Sequence, residues 1–188
     1  MERRHIASVS FGKDSLAMLY LLIARGWPVD EVVFFNNGME FQAIYDTRDR
    51  VLPDLEALGI PYTELFPRNP FLYDVLERPI KYRGGTGYHY GYQWCGGPCR
   101  WATTEKLRVI RDYCADAVIY VGLAADEPQR FEKCGYPNRR LPLAEWGLTE
   151  PDCLEYCQQL GFQWLEETEN GPVPVSYTHL TLPTNREV

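Results

Sequence analysis

The sequence predicts an α/β fold: a mostly parallel, open sheet with helices on both faces. Three observations carry that prediction. Apolar runs of strand length over residues 6–9, 31–35, 62–66 and 117–121 alternate with segments of helical periodicity. The first run is apolar on both faces, as a central covered strand requires. Between it and the first helix lies a tight glycine turn, Ser10-Phe11-Gly12-Lys13-Asp14-Ser15. Strand, turn and helix repeated in this order build a parallel sheet with crossover helices.

The elements follow in order. The first helix is predicted over 15–25, closed by Gly26 and Pro28. The strand over 31–35 ends in an Asn36-Asn37-Gly38 turn. Phe41, Ile44, Tyr45, Val51 and Leu52 then space a second helix from about Glu40, which Pro53 is predicted to kink or restart, with Leu55 and Leu58 continuing its apolar face to Gly59. Residues 67–92, rich in Pro, Gly and Tyr, read as a long loop or lid. A helix over 100–114 precedes the strand at 117–121 and a loop over 122–130. Thr149-Glu150-Pro151-Asp152 reads as a capping box with proline in the first turn, opening a helix that ends near Gly161.

Bulk properties narrow the function classes. A chain of 188 residues with 45% hydrophobic and 14% aromatic content can bury one proper core. Its net charge of −7 gives no global positive field of the kind that advertises nucleic acid, although a local basic site stays open. No apolar run approaches a membrane span and no signal-peptide pattern opens the chain, so a cytoplasmic location is expected. The six cysteines then read as free thiols, metal ligands or redox groups rather than structural disulfides.

The stretch from Val175 to Val188 fits nothing before it and looks like the conceptual translation of a sequencing-library adapter. Residues 1–174 are therefore expected to form one nucleotide-binding domain cut near Pro174, and 175–188 a non-native tail with no part in fold or function.

The glycine turn carries the chemistry. It points backbone N–H groups and the positive end of a helix dipole at one spot, which wants an anion, most often a phosphate. Ser10 and Ser15 add hydroxyls, Lys13 adds a charge, and Gly12 permits a positive φ and close approach to a ligand. Asp14 is suited to orienting the loop or to approaching Mg2+. The adjoining strand end offers Asn37, Gly38 and Glu40 to an adenosine, and the loop after the fourth strand offers Gly122, Asp126, Glu127 and Arg130. Arg130 suits a bidentate phosphate or sulfate clamp, and the two carboxylates suit Mg2+ or Arg130 itself. In the helix beyond, Lys106 and Arg108 are candidates to face the anion. Cys95 and Cys99, flanking Gly-Gly-Pro just before a helix, suit a metal, an Fe–S cluster or redox chemistry, and one pair cannot complete a site. Tyr92, Trp94 and Trp101 beside them suit base stacking or packing. Cys153 and Cys157 share a helix face with Leu160 and read as core.

Ser10-Phe11-Gly12-Lys13-Asp14-Ser15 resembles the Ser-x-Gly-x-Asp-Ser loop of the PP-loop nucleotide alpha-hydrolase superfamily. Asn37-Gly38-Met39-Glu40-Phe41 resembles the Thr-Gly-x-Glu-Phe segment of the phosphoadenylyl sulfate (PAPS) reductase family. The 122–130 loop resembles that family's Gly-x-Arg-x-Asp-Glu-x-x-Arg, with Ala124 where an arginine is usual. Leu141 to Trp146 followed by Thr149 to Asp152 resembles its Pro-Leu-x-Asp-Trp segment. The resemblance implies a Rossmann-like adenine nucleotide alpha-hydrolase fold, with Lys13, Asp14 and Arg130 as catalytic residues and the loop from Ser10 through Phe11 to Ser15 around the nucleotide. The Lys-Asp-Ser form is that of the ATP-splitting relatives. It implies ATP and Mg2+, cleavage between the α and β phosphates, and adenylation of an acceptor ahead of sulfur transfer. Two alternatives stand beside it: a thiol-dependent sulfonucleotide reductase releasing sulfite, and a nucleotide-binding subunit that turns over only with a partner protein; a protein partner or a homo-oligomer is open in either case. The cysteine pair resembles that of Fe–S-containing adenylyl sulfate reductases, which implies an Fe–S cluster or zinc. The acceptor is not named by these motifs, and nucleic acid remains among the candidates.

Overall fold

The computed structural model describes residues 3–91, 100–132, 137–168 and 171–174. In chain order its elements are β1 (His5–Ser8), α1 (Lys13–Ala24), β2 (Glu31–Phe35), α2 (Gln42–Ala57), β3 (Tyr62–Leu65), a π-helical turn (Tyr73–Glu77), β4 (Pro79–Lys81), β5 (Tyr88–Tyr90), α3 (Arg100–Tyr113), β6 (Val118–Val121), α4 (Pro128–Phe131), β7 (Arg139–Arg140), α5 (Pro142–Glu145), α6 (Glu150–Gln159), β8 (Leu165–Thr168) and β9 (Gly171–Pro174).

The main sheet has five strands in the order β3-β2-β1-β6-β7, and every pairing is parallel. Ile6 lies opposite Glu31 on one side and Ile119 on the other, so β1 is central. The chain builds outward from β1 to β3, then crosses to β6 and builds the other way. That reversal leaves a crevice between the carboxyl ends of β1 and β6, where sheets of this kind seat ligands.

Alternation along the strands divides the core into two layers. Ala7, Val9, Val32, Phe34 and Tyr120 pack with Leu16, Met18, Leu19 and Leu22 of α1, Ile44, Val51 and Leu55 of α2, and Cys153 and Cys157 of α6. Ile6, Val33, Phe35, Leu65 and Ile119 pack with Ile110 and Cys114. Helices therefore cover both faces, as expected. Glu31 is buried on β2 because it is fully engaged: Arg4 at 3.1 Å, and the hydroxyls of Thr63 and Tyr113 at 2.6 Å each.

Several expectations needed correction. The second helix runs unbroken through Pro53. The proline sits on the exposed side of α2, where the carbonyl left without a donor faces water. The 67–92 segment is not one long loop: it holds the π-helical turn and an antiparallel β4–β5 hairpin. Strand β7 was missed because two arginines at a sheet edge carry no apolar signature. The capping box formed as read, with both reciprocal bonds between Thr149 and Asp152 present. The tail 175–188 lies outside the described residues.

Candidate anion-binding site at the β1–β6 crevice

The first turn of α1 opens directly onto that crevice. Its N-cap residue, Gly12, makes no side-chain cap, so the first-turn amides of the helix are left pointing at the crevice. The loop before it is fixed by its serines. The Ser10 amide donates to Ser15 Oγ at 3.0 Å, the two hydroxyls meet at 3.1 Å, and Ser15 Oγ donates to the Gly12 carbonyl at 3.1 Å.

The sharp bend sits one residue earlier than the sequence suggests. Gly12 has φ −80, and Phe11 takes the left-handed conformation at φ 58. A non-glycine residue there costs about 1–2 kcal/mol. Complete burial of the Phe11 ring, edge-on to Phe34 at 5.2 Å, returns about 1.5–3 kcal/mol and holds the conformation. A second restraint comes from Trp164, whose indole N–H donates to the Phe11 carbonyl at 2.8 Å.

Lys13 stands among carboxylates. Its Nζ lies 2.8 Å from Asp14 Oδ1 and 3.2 Å from Glu150 Oε2. Carboxylate oxygens of Asp14, Glu127 and Glu150 all fall within 4.8 Å of one another. Burial alone would lower the Lys13 pKa, but Asp14 and Glu150 outweigh it and hold the ammonium charged. Burial raises the Asp14 pKa, Lys13 opposes the rise, and Glu150 and Glu127 add to it. Glu127 pairs with Arg130 through one oxygen, while its other oxygen is buried without a hydrogen-bond partner.

Other elements close the crevice. A Cβ on Gly122, at the end of β6, would lie 2.7 Å from Ser15 Cα and 2.9 Å from Ser15 N, so the glycine lets β6 abut the loop. Cys157 donates its thiol to the Lys13 carbonyl at 3.3 Å. Cys153 and Cys157 are buried, and burial pushes both thiols up to about 12, in keeping with the packing role read for them.

The structure thus brings together Ser10, Phe11, Gly12, Lys13, Asp14, Ser15, Gly122 and Glu127. It adds Glu150, which the sequence marked only as a first-turn residue of a capping box, and Trp164, which no local pattern marked. The remaining candidates sit differently. Asp126 accepts from the Glu150 amide at 3.1 Å, so its carboxylate anchors the start of α6. Arg130 is 54% exposed in its side chain and paired to Glu127. Asn37, Gly38 and Glu40 form a self-bonded loop after β2: Asn37 donates to Glu40 at 2.9 Å, and the Gly38 amide donates to Asn36 at 2.8 Å. Ala124 is fully buried, in a place without space for an arginine. Arg108 is taken by Glu105, whereas burial lowers the Lys106 pKa, with Glu40 opposing and Arg130 adding to the shift. Cys95, Cys99, Tyr92 and Trp94 lie outside the described residues.

Comparison with known proteins agrees with this geometry. Residues 4–68 match the phosphoadenosine phosphosulfate reductase domain family. No curated protein matches the chain. Among solved structures, the chain is similar in fold to the U34-tRNA thiolase NcsA from Methanococcus maripaludis with its [4Fe-4S] cluster, at a TM-score of 0.56 and 16% identity. The likeness covers 86% of this chain, and the chain spans 58% of that neighbour's length. The stretch that carries β1, α1, β2, α2 and β3 is thus similar to the phosphoadenosine phosphosulfate reductase domain family, and the chain as a whole shares the α/β fold of that thiolase.

Proposed function

We propose that the chain binds ATP with Mg2+ at the β1–β6 crevice and adenylates an acceptor, releasing pyrophosphate, as the activating step of a sulfur transfer. The observation that carries this reading is the position of Lys13 between Asp14 and Glu150, at the mouth of an uncapped helix N-terminus. A triphosphate draws Lys13 onto its oxygens, where the ammonium and the α1 amides balance charge on the leaving pyrophosphate. The acceptor attacks the α-phosphorus, and the bond to the bridging β-phosphate oxygen breaks.

The donor set fits Mg2+. Asp14, Glu127 and Glu150 offer clustered carboxylate oxygens, and the partnerless buried oxygen of Glu127 is one that a hard cation would satisfy. The ion supplies charge neutralisation at the phosphates. Arg130, paired to Glu127 of that cluster and partly exposed, is the guanidinium offered to an outer phosphate oxygen.

For Cys95 and Cys99 we propose a pair of thiolate ligands to an Fe–S cluster, the rest of the ligand set coming from elsewhere. The [4Fe-4S] cluster named for the structural neighbour supports this reading. Anaerobic purification followed by iron and sulfide analysis of the Cys95→Ser and Cys99→Ser variants tests it.

The family match over residues 4–68 favours a second reading, reduction of a sulfonucleotide to sulfite. Its thiol nucleophile is not among Cys114, Cys153 and Cys157, which are buried with raised pKa values. Calorimetry with ATP and with PAPS, each with MgCl2, separates the two. ATP binding that Lys13→Ala abolishes, with pyrophosphate release on adding acceptors, supports adenylation. PAPS binding with thiol-dependent sulfite release overturns it. ATP binding with turnover only after a partner protein is added marks the chain as one subunit of the enzyme.

A further inference from the structure

The hairpin after β3 concentrates positive charge and aromatic rings in an otherwise acidic chain. Residues 78–91 contain Arg78, Lys81, Arg83, His89, Tyr82, Tyr88 and Tyr90 and no Asp or Glu, while the whole chain carries −7. Arg78 is committed to Asp74 at 3.3 Å. Lys81 and Arg83 form no ion pair among the described residues.

The strand register sorts these side chains by face. Lys81 lies opposite Tyr88 and Pro79 opposite Tyr90, so these four share one face, and Ile80 and His89 share the other. The first face is the solvated one: Tyr88 is 60% exposed and Tyr90 72%. Two residues apart on one strand, the rings are spaced by about 7 Å. On the other face Tyr82 packs against His89 with ring centroids 5.3 Å apart. The outward tyrosines are thus surplus to the hairpin's own packing. The chain enters this region from the carboxyl end of β3, which in an all-parallel sheet is the end that also carries the anion site.

We infer that the outer face of the β4–β5 hairpin is a docking surface for an unpaired nucleic-acid strand. Tyr88 and Tyr90 stack on successive bases, and Lys81 and Arg83 meet the phosphates. Rings spaced along an extended strand and flanked by cations, in a hairpin that itself carries no acidic residue, are the elements of a stacking platform. A duplex hides the base faces these rings would use, so it is the weaker ligand. A second copy of this acidic chain would meet the cations but offers no repeating array of flat faces. The inference goes beyond the nucleotide chemistry and stands without it.

The test is fluorescence anisotropy of the full chain with a labelled single-stranded RNA dodecamer, competed by the same sequence unlabelled as single strand or duplex. The expected result is binding that weakens with salt and is competed better by the single strand. Replacing both rings, Tyr88→Ala with Tyr90→Ala, weakens it by about tenfold or more, and the Phe pair retains it. Lys81→Glu with Arg83→Glu weakens binding and flattens its salt dependence. Circular dichroism melting checks that each variant folds, which solvent-facing substitutions permit. No binding at low salt, equal competition by duplex, or full affinity in the folded Tyr88→Ala/Tyr90→Ala protein overturns the inference. Lys13→Ala, which removes the proposed ATP contact, leaves RNA binding in place, so failure of one reading is distinguishable from failure of the other.

Discussion

Trp164 donates its indole N–H to the carbonyl oxygen of Phe11 at 2.8 Å, a bond between residues 153 positions apart. The acceptor belongs to the one non-glycine residue with positive φ among the described residues. Removing the donor leaves a strained loop without its outer restraint. Trp164→Phe keeps most of the apolar volume and deletes the bond. It should cost about 1–3 kcal/mol in guanidinium unfolding and weaken ATP binding in calorimetry. Wild-type affinity in the folded variant would mean that burial of the Phe11 ring alone sets the loop.

Gly122→Ala tests the other wall of the crevice. Its methyl group would collide with backbone atoms of Ser15, which cannot swing aside as a side-chain tip can. We expect destabilisation of about 1–3 kcal/mol, typical of overpacking, and loss of nucleotide binding. Differential scanning fluorimetry with and without ATP reads both effects at once.

Lys13 Nζ contacts two of the three carboxylates proposed to hold Mg2+, so the ammonium and the ion are expected to compete. In Lys13→Ala the cluster of Asp14, Glu127 and Glu150 loses its ammonium, and the carboxylates are left to bind Mg2+ alone. The variant should therefore take up free Mg2+ about tenfold more tightly than the wild type, while losing ATP. Calorimetry with MgCl2 at fixed ionic strength measures it; equal affinities would show that the lysine and the ion do not compete.

The buried thiols make stability depend on alkaline pH. Burial raises Cys153 and Cys157 from 9.0 to about 12, and Cys114 from 9.0 to about 11. Below about pH 9 both folded and unfolded chains hold these protons, and the contribution is complete. Above it the unfolded chain gives them up first, so stability falls as pH rises toward the folded values. Urea midpoints at about pH 8 and about pH 10 should show the decline, and Cys153→Ala/Cys157→Ala should make it shallower.

What the sequence made legible follows from the range of the forces involved. β1, the glycine turn and α1 are adjacent in the chain, and their apolar periods differ sharply, so the site's first half was readable. The Thr149–Asp152 box is equally local. Glu150 could be seen as a helix-start residue but not as a partner of Lys13, because only the α1–α6 packing joins them. The left-handed residue was assigned to Gly12 by intrinsic preference, and tertiary contacts at Phe11 overrode it. The β4–β5 hairpin was hidden by its Gly-Gly-Thr-Gly connection, which reads as loop, and β7 by its arginines.

The wide separation of the crevice's parts also bears on how the chain would acquire the nucleotide binding proposed for it. The Ser10–Ser15 loop leaves the ribosome first, but Gly122, Glu150 and Trp164, which fix its shape and charge, follow more than a hundred residues later. Contacts of such sequence separation form late and slowly. Nucleotide competence is then among the last properties to arrive during folding. ATP should accordingly act as a brake on unfolding of the finished protein, with little influence on the rate at which it folds.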